Sequence, residues 1–177
     1  MVDEQNRTLE ALQIAIQMEI DGKEYYLKAS QQSSSEPGKK LLASLATEED
    51  THRQKFEHIY DTMRNTRKWT ATDFQPDGGK RLRTIFARAI ENTGSSNMKP
   101  LTTELKAIEA ALDMENKSYD FYKKRGANAA YDAERDFYET IAAEEREHHL
   151  VLADYYEYLK DPAGWFTGKE HPSLDGG

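Results

Sequence analysis

Six residues of this chain have the types and the spacing of metal ligands. They are Glu19, Glu49 and His52, followed by Glu115, Glu145 and His148. The offset is 96 in each case, from Glu19 to Glu115, from Glu49 to Glu145 and from His52 to His148. A lone Glu followed by a Glu-x-x-His pair is therefore written twice. On a helix, residues i and i+3 point about 60° apart around the axis and rise ~4.5 Å along it, so both can reach one ion. Two such pairs, joined by one Glu from each of two further helices, make the known pattern of a dinuclear carboxylate site inside a bundle.

One Glu-x-x-His in an acidic chain is weak evidence, and its position decides more. Glu49 and His52 lie within the stripe Leu41, Leu45, Phe56, Ile59 and Met63. Glu145 and His148 lie within Phe137, Ile141, Leu152, Tyr155 and Leu159. Turning these faces outward would expose both apolar stripes. Turning them inward without a cation would bury unpaired carboxylates, at several kcal/mol each. Two divalent cations resolve the conflict by offsetting the charge. The chain has no cysteine, which excludes disulfides, thiolate nucleophiles, thiolate-bound zinc and iron–sulfur clusters. Four carboxylates and two imidazoles suit iron or manganese, and zinc can occupy the same donors. A pair of redox-active ions sharing carboxylates can exchange two electrons with O2 or peroxide.

Neighbouring residues divide into several expectations. Tyr26 and Tyr122 stand seven positions beyond Glu19 and Glu115, so each either hydrogen-bonds a ligand carboxylate or packs the core. Glu48 and Glu144 fall off the stripe and are expected at the surface. His58, His149 and His171 belong to neither pair and suit solvated or capping roles, while Tyr25 and Phe121 read as core aromatics.

These ligands require long helices to position them. The first is expected from about Thr8, as N-cap, to Ser30, and the SSSEPG turn ends it. The second starts near Pro37 with Ser34 or Ser35 as cap. Residues 68–100 lose the helical period apart from a short amphipathic piece, Arg81 to Glu91, and form a long crossover. A basic cluster there, Lys80, Arg81 and Arg83, reads as a solvated or salt-bridged face. The third helix runs from about Thr102 to Lys124, Gly126 and Asn128 stop and restart the chain, and the fourth helix follows. The fold is thus all-α, a four-helix bundle over residues 1–160 made of two repeated αα-hairpins. Residues 161–177 form a tail whose Trp165 and Phe166 cover the bundle or a partner subunit.

The 177 residues carry a net charge of −8, an isoelectric point near 5.2 and a mean hydropathy of −0.89. Such a surface repels phosphate backbones and anionic lipid, so neither nucleic acid nor membrane is an expected partner. The opening MVDEQNRTLEAL lacks the basic-then-apolar pattern of a secretion signal. A soluble, cytoplasmic protein is expected.

The stretches AIQMEIDGKEYY and ALDMENKSYDFY, with ATEEDTH and AAEEREH, resemble the ferritin-like domain of the rubrerythrin family over residues 8–160. The tail resembles the ending of small relatives that consist of this domain alone. The resemblance implies a ferritin-like bundle with two iron ions on Glu19, Glu49, His52, Glu115, Glu145 and His148. It also implies an oxidoreductase that reduces H2O2 or O2. Two departures accompany it. Typical members carry a cysteine-ligated rubredoxin domain, absent here, so electrons must come from an external donor such as a rubredoxin. They also carry a further Glu where this chain has Ser118. A homodimer is the expected assembly. The alternatives are an iron-binding or ferroxidase protein without peroxidase turnover, and a di-manganese, catalase-like site.

Overall fold

The computed structural model describes residues 2–93 and 102–167, with side chains described for 4–93 and 102–165. Among the described residues six helices follow in order: α1 (Val2–Gln32), α2 (Glu36–Thr66), α3 (Lys80–Thr93), α4 (Thr102–Ala127), α5 (Asp132–Lys160) and α6 (Pro162–Thr167). There is no strand among the described residues. α1 packs along α2 and α4 along α5, while α1 also meets α4 and α2 meets α5. The architecture is the all-α bundle expected from the periodicity, and the ferritin-like form that the resemblance implied.

Local chemistry explains most of the helix ends. Ser35 takes extended backbone angles (φ −109°, ψ 139°), and its Oγ accepts from the Gly38 N–H at 3.1 Å, with Pro37 in the first turn. α2 ends at Arg67, whose left-handed backbone (φ 60°) returns its N–H to the Met63 carbonyl at 2.9 Å. Two expectations are corrected. Thr8 is not a cap, because α1 begins six residues earlier and the Thr8 hydroxyl donates to the Glu4 carbonyl at 3.1 Å. No Gly or Pro precedes it to stop the helix, and a hydroxyl bonding back four residues is compatible with a continuing one. Gly126 lies inside α4 rather than ending it. A Cβ there would sit 3.4 Å from Glu139 Cγ on α5, at the edge of ordinary contact. Asn128 supplies the stop, its Nδ2 donating to the Lys124 carbonyl at 2.7 Å. Tyr131 precedes α5 at the cap position without a side-chain cap, and Glu134 reaches back to accept from the Ala130 N–H at 3.1 Å.

The buried side chains form two apolar clusters. One gathers Leu12, Phe56, Ile59, Met63, Trp69, Tyr122, Phe137, Tyr138 and Ile141. The other gathers Tyr26, Leu41, Leu45, Ile108, Leu152, Tyr155 and, from the crossover, Leu82, Phe86 and Ile90. Each long helix contributes to both, and in each the ligand-type residues fall between its two contributions. The polar layer is thus placed mid-bundle by the positions of apolar residues on either side. Arg83 pairs with Glu147 of α5 and donates to the Gly78 carbonyl, which ties the crossover down. Trp165 is buried against Phe86 and Tyr158, with ring centroids 6.1 and 5.9 Å away. The Phe166 side chain and His171 lie outside the described residues.

Candidate metal centre

All six ligand-type residues arrive in the middle layer, none more than 4% exposed. α1 supplies Glu19, α2 Glu49 and His52, α4 Glu115, and α5 Glu145 and His148. They form two overlapping groups whose ligand atoms lie within 4.8 Å of one another. One group is Glu19, Glu49, His52 and Glu145; the other is Glu49, Glu115, Glu145 and His148. Glu49 and Glu145 are common to both. The two imidazoles stack with centroids 5.6 Å apart and planes 12° apart.

Both histidines turn Nδ1 inward. His52 Nδ1 is 3.4 Å from Glu19 Oε2 and 3.3 Å from Glu145 Oε1. His148 Nδ1 is 3.0 Å from Glu49 Oε1 and 3.7 Å from Glu115 Oε2. Each half therefore combines the Glu and His of one hairpin with a Glu of the other. These contacts lack hydrogen-bond geometry. Glu19 Oε2, Glu49 Oε1, His52 Nδ1, Glu115 Oε2, Glu145 Oε1 and His148 Nδ1 are buried without a hydrogen-bond partner, one atom from each residue. Such orphaned groups are rare in folded proteins. Six of them converging is the arrangement a pair of cations would satisfy, so the residues present fit a dinuclear centre.

The electrostatics agree. Burial, then the neighbouring carboxylates, hold Glu49 and Glu145 well above the usual carboxylate range. Burial also works against Glu19, yet His52 and Tyr122 beside it bring its pKa below the ordinary value. Burial pulls the two imidazoles down, but the surrounding carboxylates outweigh it and leave both raised. With its four carboxylates ionised, the layer carries more negative charge than its two imidazoles can offset, a charge that cations would balance.

The tyrosines resolve towards ligand contact, with the hairpins exchanged. Tyr26 of α1 donates to Glu115 Oε1 of α4, and Tyr122 of α4 donates to Glu19 Oε1 of α1. Each bond occupies one oxygen and leaves the other, Oε2, facing the centre. Burial and the nearby carboxylates raise both phenols well above their ordinary value, so they remain donors.

Glu48 and Glu144 are not surface residues. Glu48 Oε2 lies 3.0 Å from His148 Nε2, and Glu144 is only 6% exposed. One position off the stripe is about 100° around the helix, and here that face meets the opposite hairpin rather than solvent. A signal for them existed, since the repeat reads Glu-Glu-x-x-His both times. Gly22 was also missed: a Cβ there would come within 2.9 Å of Glu49 Oε2, so the missing side chain makes room for a shared carboxylate. His58 is exposed as expected, and His149 is half-buried, its pKa lowered by burial. Tyr25 and Phe121 are half-buried at the core's edge, and Tyr25 donates to the Ala107 carbonyl at 2.5 Å.

The family model described as Rubrerythrin matches residues 10–156, which include all six ligand-type positions. The chain belongs to the rubrerythrin family. No curated protein and no solved structure matches it significantly. Rubrerythrin membership supports a di-iron carboxylate protein, and the buried carboxylate–imidazole group in this structure could hold metal. No described helix is long and apolar enough to cross a membrane.

Proposed function

We propose that this rubrerythrin-family chain is a di-iron oxidoreductase that reduces hydrogen peroxide or dioxygen with electrons from an external donor protein such as a rubredoxin. The observation that carries the reading is the set of six orphaned ligand atoms, one from each residue of the duplicated motif. Glu19 and His52 would hold one ion, Glu115 and His148 the other, with Glu49 and Glu145 shared between them. Two iron ions held by these residues would supply the capacity to exchange two electrons with peroxide or dioxygen. Manganese or zinc fits the same donors.

The protein's own contribution is positional. Tyr26 and Tyr122 each hold one oxygen of a carboxylate from the other hairpin, which fixes the direction of the second oxygen. The apolar clusters above and below exclude bulk water and strengthen every charge interaction in the layer. Phe74 of the crossover lies edge-on to His52 at 5.7 Å and covers that imidazole. Peroxide and dioxygen are small enough to suit a centre this enclosed.

Ser118 favours a second reading. It is half-buried on α4 and supplies a hydroxyl where the resembled family carries a carboxylate, leaving six acidic and imidazole donors rather than seven. That set suits iron oxidation or holding without peroxidase turnover. One experiment separates the readings: apo protein is loaded anaerobically with Fe(II), then mixed with H2O2 in a stopped-flow cell with and without a reductant. Oxidation faster than buffer, with repeated turnover on added reductant, is expected. A single turnover supports iron handling, and a rate equal to buffer removes the enzymatic reading.

A further inference from the structure

We propose that Glu48 is a positioning residue for His148 and makes the half-site containing His148 the tighter of the two for a divalent cation. The inference rests on the dinuclear reading above. His148 is fully buried, and its two ring nitrogens face different partners. Nε2 lies 3.0 Å from Glu48 Oε2, a carboxylate that arrives from α2 in the opposite hairpin. Nδ1 faces Glu49 Oε1 at 3.0 Å and Glu115 Oε2 at 3.7 Å. A neutral imidazole carries one N–H and one lone pair. Donation from Nε2–H to Glu48 therefore sets the tautomer whose lone pair sits on Nδ1, directed at the centre. A carboxylate in this role also fixes the ring plane and raises the nitrogen's basicity.

The duplicated sequence offers an internal control. Glu144 stands 96 positions after Glu48 and next to Glu145, so it is the equivalent candidate for His52. Glu144 is buried, yet among the described residues no hydrogen bond or ion pair joins it to His52, whose close carboxylates are Glu19 and Glu145. The His52 ring is instead flanked by Phe74. Phe74 belongs to the crossover, which joins the hairpins and has no copy of its own, so the repeat symmetry is broken there. The same residue types at the same spacing thus hydrogen-bond one histidine, while the other feels its acid only through charge.

The test is anaerobic titration of apo protein with Co(II), followed by calorimetry and visible absorption, with thermal unfolding of each apo variant recorded separately. Wild type is expected to bind two equivalents in two resolved steps. Glu48→Ala should weaken the tighter step by about 10- to 100-fold, Glu48→Gln, which keeps an acceptor oxygen, should recover part of it, and Glu144→Ala, which removes a nearby charge but no hydrogen bond to His148, should weaken it clearly less. In zinc-loaded protein, NMR should detect a slowly exchanging Nε2 proton on His148 that is lost in Glu48→Ala and retained in Glu48→Gln. An unchanged tighter step in Glu48→Ala overturns the assignment, as does an equal weakening in Glu144→Ala. If Glu48→Ala does not fold, wild-type affinity in Glu48→Gln together with no protected Nε2 proton in wild type overturns it equally. Failure of wild type to bind two equivalents instead overturns the dinuclear reading itself.

Discussion

Glu104 and Glu49 are both buried acids of this bundle, 7% and 4% exposed, but their surroundings differ in kind. Glu104 Oε1 accepts from Ser33 Oγ at 2.6 Å and from the Tyr155 hydroxyl at 2.8 Å, and its Oε2 accepts from Ser34 Oγ at 2.6 Å. Tyr155 also lies 3.0 Å from Ser35 Oγ, at the cap of α2. One carboxylate on α4 thereby ties the α1–α2 turn to α5. Burial works to raise its pKa, but the three hydroxyl donors prevail and hold it below the ordinary value. Glu49 has an oxygen with no hydrogen-bond partner, and burial with three neighbouring carboxylates drives its pKa well up. A carboxylate saturated with donors holds a fold together, whereas one buried beside like charge has the surroundings that the proposed metal centre would use.

The largest expected effect tests the second half of that contrast. A divalent ion that binds only the folded chain stabilises it by about 4 kcal/mol at a thousandfold excess over Kd. For a chain of this size that is a rise of about 8–16 °C in unfolding midpoint. Calorimetry with Fe(II), Mn(II) and Zn(II) should show such a rise in wild type and none in a Glu49→Ala, Glu145→Ala double variant. No shift with any of the three ions would leave the unpaired oxygens without a role.

Next in size, Glu104→Ala should cost about 3 kcal/mol, because hydrogen bonds to a charged group contribute ~1.5–3 kcal/mol and three hydroxyls lose their acceptor. Glu49→Gln in the apo protein should do the opposite, raising stability by about 1 kcal/mol as the cost of burying a carboxyl group beside like charge is relieved. Urea denaturation of both variants checks the pair, and equal losses would erase the distinction.

The pH dependence sharpens it further. Because Glu104 has a lowered folded pKa, its contribution is fully present above the ordinary Glu value of 4.5. That contribution is lost as pH falls through the lower folded value. The stability gap between wild type and Glu104→Gln, measured by urea denaturation across acid pH, should therefore be constant near neutrality and shrink below pH 4.5. A gap that widens on acidification contradicts the hydrogen-bond account.

Gly22→Ala gives the smallest effect on the fold. The added methyl gains helix propensity of up to about 1 kcal/mol, while its contact with Glu49 Oε2 forces that carboxylate aside. Apo stability should change by less than about 1 kcal/mol as metal affinity falls about tenfold, read by the same titration and unfolding experiments. Unchanged affinity would mean that the space beside Glu49 is not needed.

Legible in the sequence alone were the six ligand-type residues, their offset of 96, the helical stripes that hold them and a start of α2 near Pro37, with the choice of Ser35 over Ser34 as cap left to the structure. All of these are local or periodic properties, and helical spacing reports which residues share a face of one helix. Spacing does not report which other helix that face meets, or at what rotation. Only the tertiary structure decided that Tyr26 serves Glu115 and Tyr122 serves Glu19, pairs 89 and 103 residues apart. It also turned Glu48 towards His148, gathered Ser33, Ser34 and Tyr155 around Glu104, and set Phe74 beside His52. Each of these contacts joins separate segments, and their geometry exists only once the two hairpins and the crossover have packed together.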